Sequence, residues 1–270
     1  MLWITLRGLI AHRFRLLATA LAVTLGVAFT AGTLILTDTV TRTFDNAMGE
    51  VYAGVDAVVR GQEQFEGPMS TGAQRPRVDD ELVDRVRRVD GVQTAEGSST
   101  GYARLTNADG EAIGDPANGG PAIGLTWSDD DRINPLVVTE GRAPRSADEI
   151  VVDAPSLETS RLGLGDPMTV LVQAGPVRKT VVGTIAFGSA ETIGGATMVA
   201  FTPQAAQSLL GQPGTWNEIS VIAEEGVSQA TLTARLAAVV PTGVEAVTGS
   251  TVVEENQQFA RDASRSSPTS

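Results

Sequence analysis

No cysteine occurs anywhere in the 270 residues, which excludes disulfides, thiol catalysis and thiolate metal sites. Histidine is nearly as scarce, His12 being the only one. A histidine-ligated zinc site or a Ser–His–Asp triad therefore has nothing to draw on beyond residue 12. Aromatic residues make up 4% of the chain, so sugar-stacking platforms are few and the core must be aliphatic. The only lysine, Lys179, alternates within Arg178-Lys179-Thr180 and is expected to face solvent instead of activating a serine. Basic residues are outnumbered, giving a net charge of −12. The first 37 residues hold Arg7, Arg13 and Arg15 and no acid, so all 32 acidic residues lie beyond them. Such a surface repels phosphate backbones and argues against a nucleic-acid partner. No phosphate-binding P-loop is present, so ATP-driven work requires a separate ATPase chain.

What the chain does have begins with a long run free of charge. Residues 16–36 read LLATALAVTLGVAFTAGTLIL, and as a helix they span roughly 31 Å, the thickness of a hydrocarbon core. Arginines precede the run and Asp38 follows it, which places the N-terminus in the cytoplasm and the bulk of the chain outside. A cleaved signal peptide has a shorter apolar region and a small-x-small cleavage site, whereas this run ends on Leu34, Ile35 and Leu36. Ala18, Ala22, Gly26 and Thr30 recur every four residues, a stripe suited to close helix packing in a bilayer. Upstream, Leu2, Trp3, Leu6, Leu9, Ile10 and Phe14 have helical spacing. They fit an interfacial amphipathic helix over residues 1–15, or equally a longer start to the membrane helix.

Past the span, Val40, Phe44, Ala47, Met48 and Val51 keep the helical period, predicting a stalk over residues 37–52 that Gly54 ends. A strand over 55–60 and a Gly/Pro loop over 61–77 follow. Asp79 is expected to cap a helix whose apolar stripe is Leu82, Val83, Val86 and Val89, closed by Asp90-Gly91. Strands are predicted at 92–105, 122–127, 149–153, 168–173, 177–187 and 197–201, with Gly175-Pro176 as a hairpin turn and short helices at 155–162 and 203–210. The last third reads as strand 218–223, a helix over 228–240 capped by Ser228 with Leu232, Leu236 and Val239 buried, and strand 244–248. Strand–helix–strand thus flanks a β-rich middle, an α+β fold behind one transmembrane helix. Asp129, Asp130 and Asp131 read as a solvated turn, and Gly163-x-Gly165 as a helix terminus and not a phosphate loop. No residue qualifies as catalytic, cofactor-binding or metal-ligating, and the chain is not expected to be an enzyme.

The order of these pieces resembles the FtsX/MacB-like ABC transporter permeases. The resemblance is carried by WITLRGLIAHRFRLLATALAVTLGVAF at residues 3–29, the helix ending in Asp90-Gly91-Val92, Gly141-Arg142, DEIVV at 148–152, LGLGDPMTV at 162–170 and VRKTVVGTI at 177–185. It covers about residues 1–256. The resemblance implies a two-lobed extracytoplasmic domain with a MacB-like periplasmic core: a porter-like α/β lobe from residues 53–128 and 215–250, and a β-rich inserted lobe over 129–214. It further implies a separate cytoplasmic ABC ATPase, other permease helices or a second copy, and residence in the cell membrane. The function implied is coupling that ATPase to export, to lipoprotein or lipid extraction, or to control of wall hydrolases. Family members continue into further membrane helices, whereas residues 251–270 begin a helix and then turn polar, rich in Ser, Pro and Arg. That ending is expected to be a disordered tail on a truncated permease. The competing reading is a single-pass, membrane-anchored binding module acting alone.

Overall fold

The computed structural model describes residues 23–26, 28, 29, 52, 54–63, 75–114, 120–188 and 195–266. The chain divides into two units, Met1–Thr43 and Phe44–Ser270. In the first, residues 23–26, 28 and 29 are helical, with Val23, Leu25 and Phe29 at least 60% exposed. Among the described residues no helix is long and apolar enough to cross a membrane. Nearly all of the predicted interfacial segment, membrane span and stalk lies outside the described residues.

The second unit opens with β1 (Ala57–Gly61), β2 (Val78–Asp79), α1 (Asp80–Arg87), β3 (Val92–Ser98), β4 (Gly101–Leu105) and β5 (Ala122–Thr126). It continues through β6 (Leu136–Gly141), β7 (Glu149–Asp153), α2 (Ala154–Ser160), β8 (Pro167–Val172), β9 (Gly175–Phe187) and β10 (Thr197–Phe201). It closes with α3 (Pro203–Leu210), β11 (Thr215–Trp216), β12 (Glu218–Ala223), α4 (Gln229–Ala237), β13 (Val244–Thr248) and α5 (Gly249–Ser266).

One sheet is antiparallel, in the order β13-β1-β12-β3. Strand alternation sends Ala57, Val59, Ile219 and Val221 to one face, where they meet Leu82, Val83 and Val86 of α1 and Leu232 and Leu236 of α4. Ser228 caps α4 as its sequence predicts, its Oγ accepting from Thr231 N. Val239, expected on the buried stripe, lies beyond the end of α4 and is 39% exposed. Asp79 does not cap α1 with its side chain. The β2–β11 pair brings Gly214 within reach, and its carbonyl accepts from Asp80 N at 2.8 Å, satisfying that helix donor by tertiary contact. Trp216 from β11 donates its indole N–H to Asp80, and its ring lies so close to Gly97 that no Cβ fits there.

The other sheet has seven strands, β6-β9-β7-β10-β5-β4-β8, and closes on itself through β9. The first half of β9 pairs with β8 and the second half with β7 and β6, with register shifts at both latter pairings. The β8–β9 turn is Gln173-Ala174, since Val172 pairs with Gly175. Pro176, expected in that turn, sits instead in β9, where only β8 is a neighbour and its missing N–H goes unneeded. Strand β10 is buried on both faces: Val199 and Phe201 join Ile150, Val152, Met168 and Val170, while Met198 and Ala200 join Val151, Ile185 and Trp127. Helix α3 packs on Gly124, where a Cβ would collide with Leu210.

Two expectations are corrected here. Strands β4 and β5, placed in the first lobe with its boundary at residue 128, pair within the seven-stranded sheet, so that sheet begins near Gly101. The polar C-terminal stretch is helical through Ser266 as part of α5. Gln, Glu, Ala and Arg are good helix formers, and polarity alone does not break a helix.

Candidate functional site

The face of the four-stranded sheet opposite α1 and α4 is charged. Register aligns Glu245, Arg60, Glu218 and Ser98 across the four strands, and beside them Val247, Val58, Ser220 and Glu96. Arg60 is an inward position of an otherwise apolar strand and is 6% exposed. Its Nε donates to Glu245 Oε1 at 3.0 Å and its Nη2 to both oxygens of Glu255 at 2.8 and 2.6 Å. Burial works against the Arg60 charge, but the hydrogen bonds and charges of Glu255 and Glu245 outweigh it and raise its pKa. Arg75 extends the network, with Nη1 on Glu245 at 2.6 Å and Nη2 on Glu63 at 3.3 Å and Glu255 at 3.6 Å.

Four separate stretches of chain meet in this network: β1, the segment around Arg75, β13 and α5. Beneath it Val55, Val58 and Val252 form a small buried cluster with Tyr52 and Val247 packed against it. The backbone closes the same joint, Gly249 N donating to Asp56 O at 3.1 Å. A Cβ at Gly249 would collide with the carbonyl of Val55, so α5 leaves the sheet directly against the segment that enters it. Tyr52 donates its hydroxyl to Glu218 Oε1 at 3.0 Å. Burial, then the charge of Glu218, pushes the Tyr52 pKa well above its ordinary value, and burial likewise pushes the Glu218 carboxyl up.

The residues weighed from sequence lie elsewhere. Lys179 is held and not free: its side chain is 12% exposed and its Nζ donates to Ala147 O at 2.8 Å. Asp130 is fixed by Arg132, whose hydrogen bonds hold its carboxyl below the usual range, and Asp129 accepts from the Trp127 indole N–H at 3.0 Å. Gly163 N donates to Asp166 Oδ2, closing its loop on itself. Among the described residues no three His, Asp or Glu side chains gather as metal ligands. Sequence reading passed over Arg60, Glu245 and Glu255. The available signal was a charge at an apolar-phase position of AVVRG and of VEAVT.

A family model described as the MacB-like periplasmic core domain matches residues 16–239. The periplasmic region of MacB from Actinobacillus actinomycetemcomitans superposes with a TM-score of 0.53 at 12% identity, covering 77% of this chain and 96% of that one. The extracellular domain of the noncanonic ABC-type transporter YknZ from Gram-positive bacteria gives a TM-score of 0.49 at 12% identity, over 71% of this chain and 100% of that one. No curated protein matches. The match over residues 16–239 spans most of the sequence, and the chain belongs to the family of the MacB-like periplasmic core domain.

Proposed function

We propose that this chain is a membrane subunit of an ABC-type transporter, with residues 16–36 as its transmembrane helix and the second unit outside the cell membrane. Its two lobes are the four-stranded sheet with α1 and α4, and the seven-stranded sheet from about Gly101 to α3. A separate cytoplasmic ATPase supplies the energy, and the chain itself performs no catalysis. The substrate class is export cargo, a lipid or lipoprotein, or a wall hydrolase under control.

The observation that carries this reading is the clamp between the entering segment and α5. The entering segment follows the predicted stalk, and α5 is where a following membrane helix would attach. Arg60, Glu245 and Glu255 tie both to one sheet face. Movement at either end therefore reaches the sheet through an ion network and a buried valine cluster instead of a slack loop.

The absence of native cysteine makes topology directly testable. Single cysteines placed at Leu2 and at Ala174, in the exposed β8–β9 turn, are probed in intact cells with a membrane-impermeant maleimide. Labelling of Ala174→Cys but not Leu2→Cys is expected. The opposite pattern, or neither site reacting until the cells are lysed, contradicts the reading.

A further inference from the structure

A cleft of about 110 Å³ lies between the open face of the four-stranded sheet and the β5–β6 region of the seven-stranded one. Its floor is set by register: Glu218 stands opposite Ser98 and Ser220 opposite Glu96, so carboxylates occupy one diagonal and hydroxyls the other. Each carboxylate has one oxygen engaged, Glu218 by the Tyr52 hydroxyl at 3.0 Å and Glu96 by Ser128 Oγ at 2.6 Å. Their second oxygens have no hydrogen-bond partner among the described residues. Ser220 is 4% exposed, lines the cleft, and its hydroxyl has no partner among the described residues either. Its neighbours Ile219 and Val221 point into the opposite core, so the Ser220 side chain faces the cleft. Its hydroxyl opens on the cleft, where it is free to accept from an occupant. The opposite wall is largely apolar, formed by Leu125, Ile133, Pro135 and Leu136, with the Thr126 and Ser128 hydroxyls there already engaged by Ser99 and Glu96.

We infer that this cleft binds a primary alkylammonium group, its three N–H donors shared among Glu96, Glu218 and Ser220 and its methylene stem lying against Leu125, Ile133 and Leu136. An ammonium carries three donors and no acceptor, matching three acceptors on one floor. A cleft of this size has room for a short alkyl stem. A calcium ion calls for six to eight oxygen ligands, which an apolar wall cannot complete. The cation also offsets the cost of holding Glu218 charged in a buried setting. The ammonium can belong to a free amine or to a lysine side chain, and because the cleft lies between the two sheets, its occupant touches both. This assignment does not depend on the transporter reading.

Saturation-transfer NMR on the full chain in neutral detergent tests it, with n-butylammonium as the probe. Transfer to the butyl methylenes is expected, with n-butanol giving none above the detergent background. Glu218→Gln is expected to weaken the probe at least ten-fold and Ser220→Ala measurably, each variant checked for an unchanged thermal melt. If Glu218→Gln fails to fold, Glu96→Gln and Ser220→Ala carry the comparison. A blocked lysyl tripeptide that competes with n-butylammonium identifies a side-chain ligand, and one that does not identifies a free amine; either supports the site. Equal transfer to n-butanol, wild-type binding in every folded variant, or displacement of the probe by millimolar calcium would overturn it.

Discussion

A guanidinium that is 6% exposed stays charged in Arg60 because carboxylates reach it from two elements, Glu245 on β13 and Glu255 on α5. Removing Arg60 takes away the one buried charge of this network and leaves Glu245 and Glu255, both partly open to solvent, with Arg75 as their remaining partner. Arg60→Met is expected to lower stability by about 1–2 kcal/mol, read as a lower urea midpoint of the full chain in detergent. Replacing Arg60, Glu245 and Glu255 together by apolar residues of similar size should recover much of that loss. A single variant as stable as wild type would show that the network is not closed in solution. At Glu149 the effect is one of pH. Two hydrogen bonds from Arg142, at 2.6 and 2.8 Å, and one from Arg145 N bring its pKa from 4.5 down to about 2. A carboxyl whose folded pKa is depressed contributes stability above its unfolded pKa and loses it as pH falls through the folded one. This contribution is therefore complete above about pH 4.5 and disappears between there and about pH 2. In Arg142→Met that part of the acid dependence should flatten, which equilibrium unfolding followed across this window will reveal.

Among the elements, β7, α2 and β10 are joined by one side chain. Asp153 Oδ1 accepts from Ser156 N at 2.9 Å and caps α2, while its Oδ2 accepts from Met198 N at 2.6 Å in β10. Burial pushes its carboxyl up, opposed by those two donors. Asp153→Ala removes a cap and orphans a buried N–H, and is expected to cost about 2–4 kcal/mol. Asp153→Asn, which keeps an acceptor, should cost less; equal thermal midpoints for the two variants would contradict this account. Asp153 also marks how far sequence reading reaches. Helix α3 and strands β7, β10, β12 and β13 were legible because each is a short, mostly apolar segment with proline or glycine near its ends. The partnership of β4 and β5 with β8 and β10 was not, since β5 pairs parallel to β10 across 70 residues of sequence and no local pattern reports that. The helicity of α5 was masked by its polar composition, which resembles that of a tail. The clamp was legible only as anomalies, single charges in apolar strand phase, because a network of four separate stretches exists only after the sheet has formed.

Over the whole molecule, the same charge distribution does two jobs. An acid-rich exterior disfavours contact with phosphate polymers, while Arg60 and Arg75 make ion pairs at the entry and exit of the four-stranded sheet and Arg142 makes one beside β7. The chain belongs to the family of the MacB-like periplasmic core domain, and the proposed transporter role makes the clamp between entering and leaving segments the path by which movement reaches the four-stranded sheet. The most direct measurement is affinity purification of the full chain from its native membranes in mild detergent, followed by an ATP hydrolysis assay on the eluate. The account predicts that a P-loop ATPase co-purifies in stoichiometric amount and hydrolyses ATP, and that Arg60→Met leaves the partner bound while altering the rate. An eluate containing the chain alone, in every detergent that keeps it folded, would contradict the account.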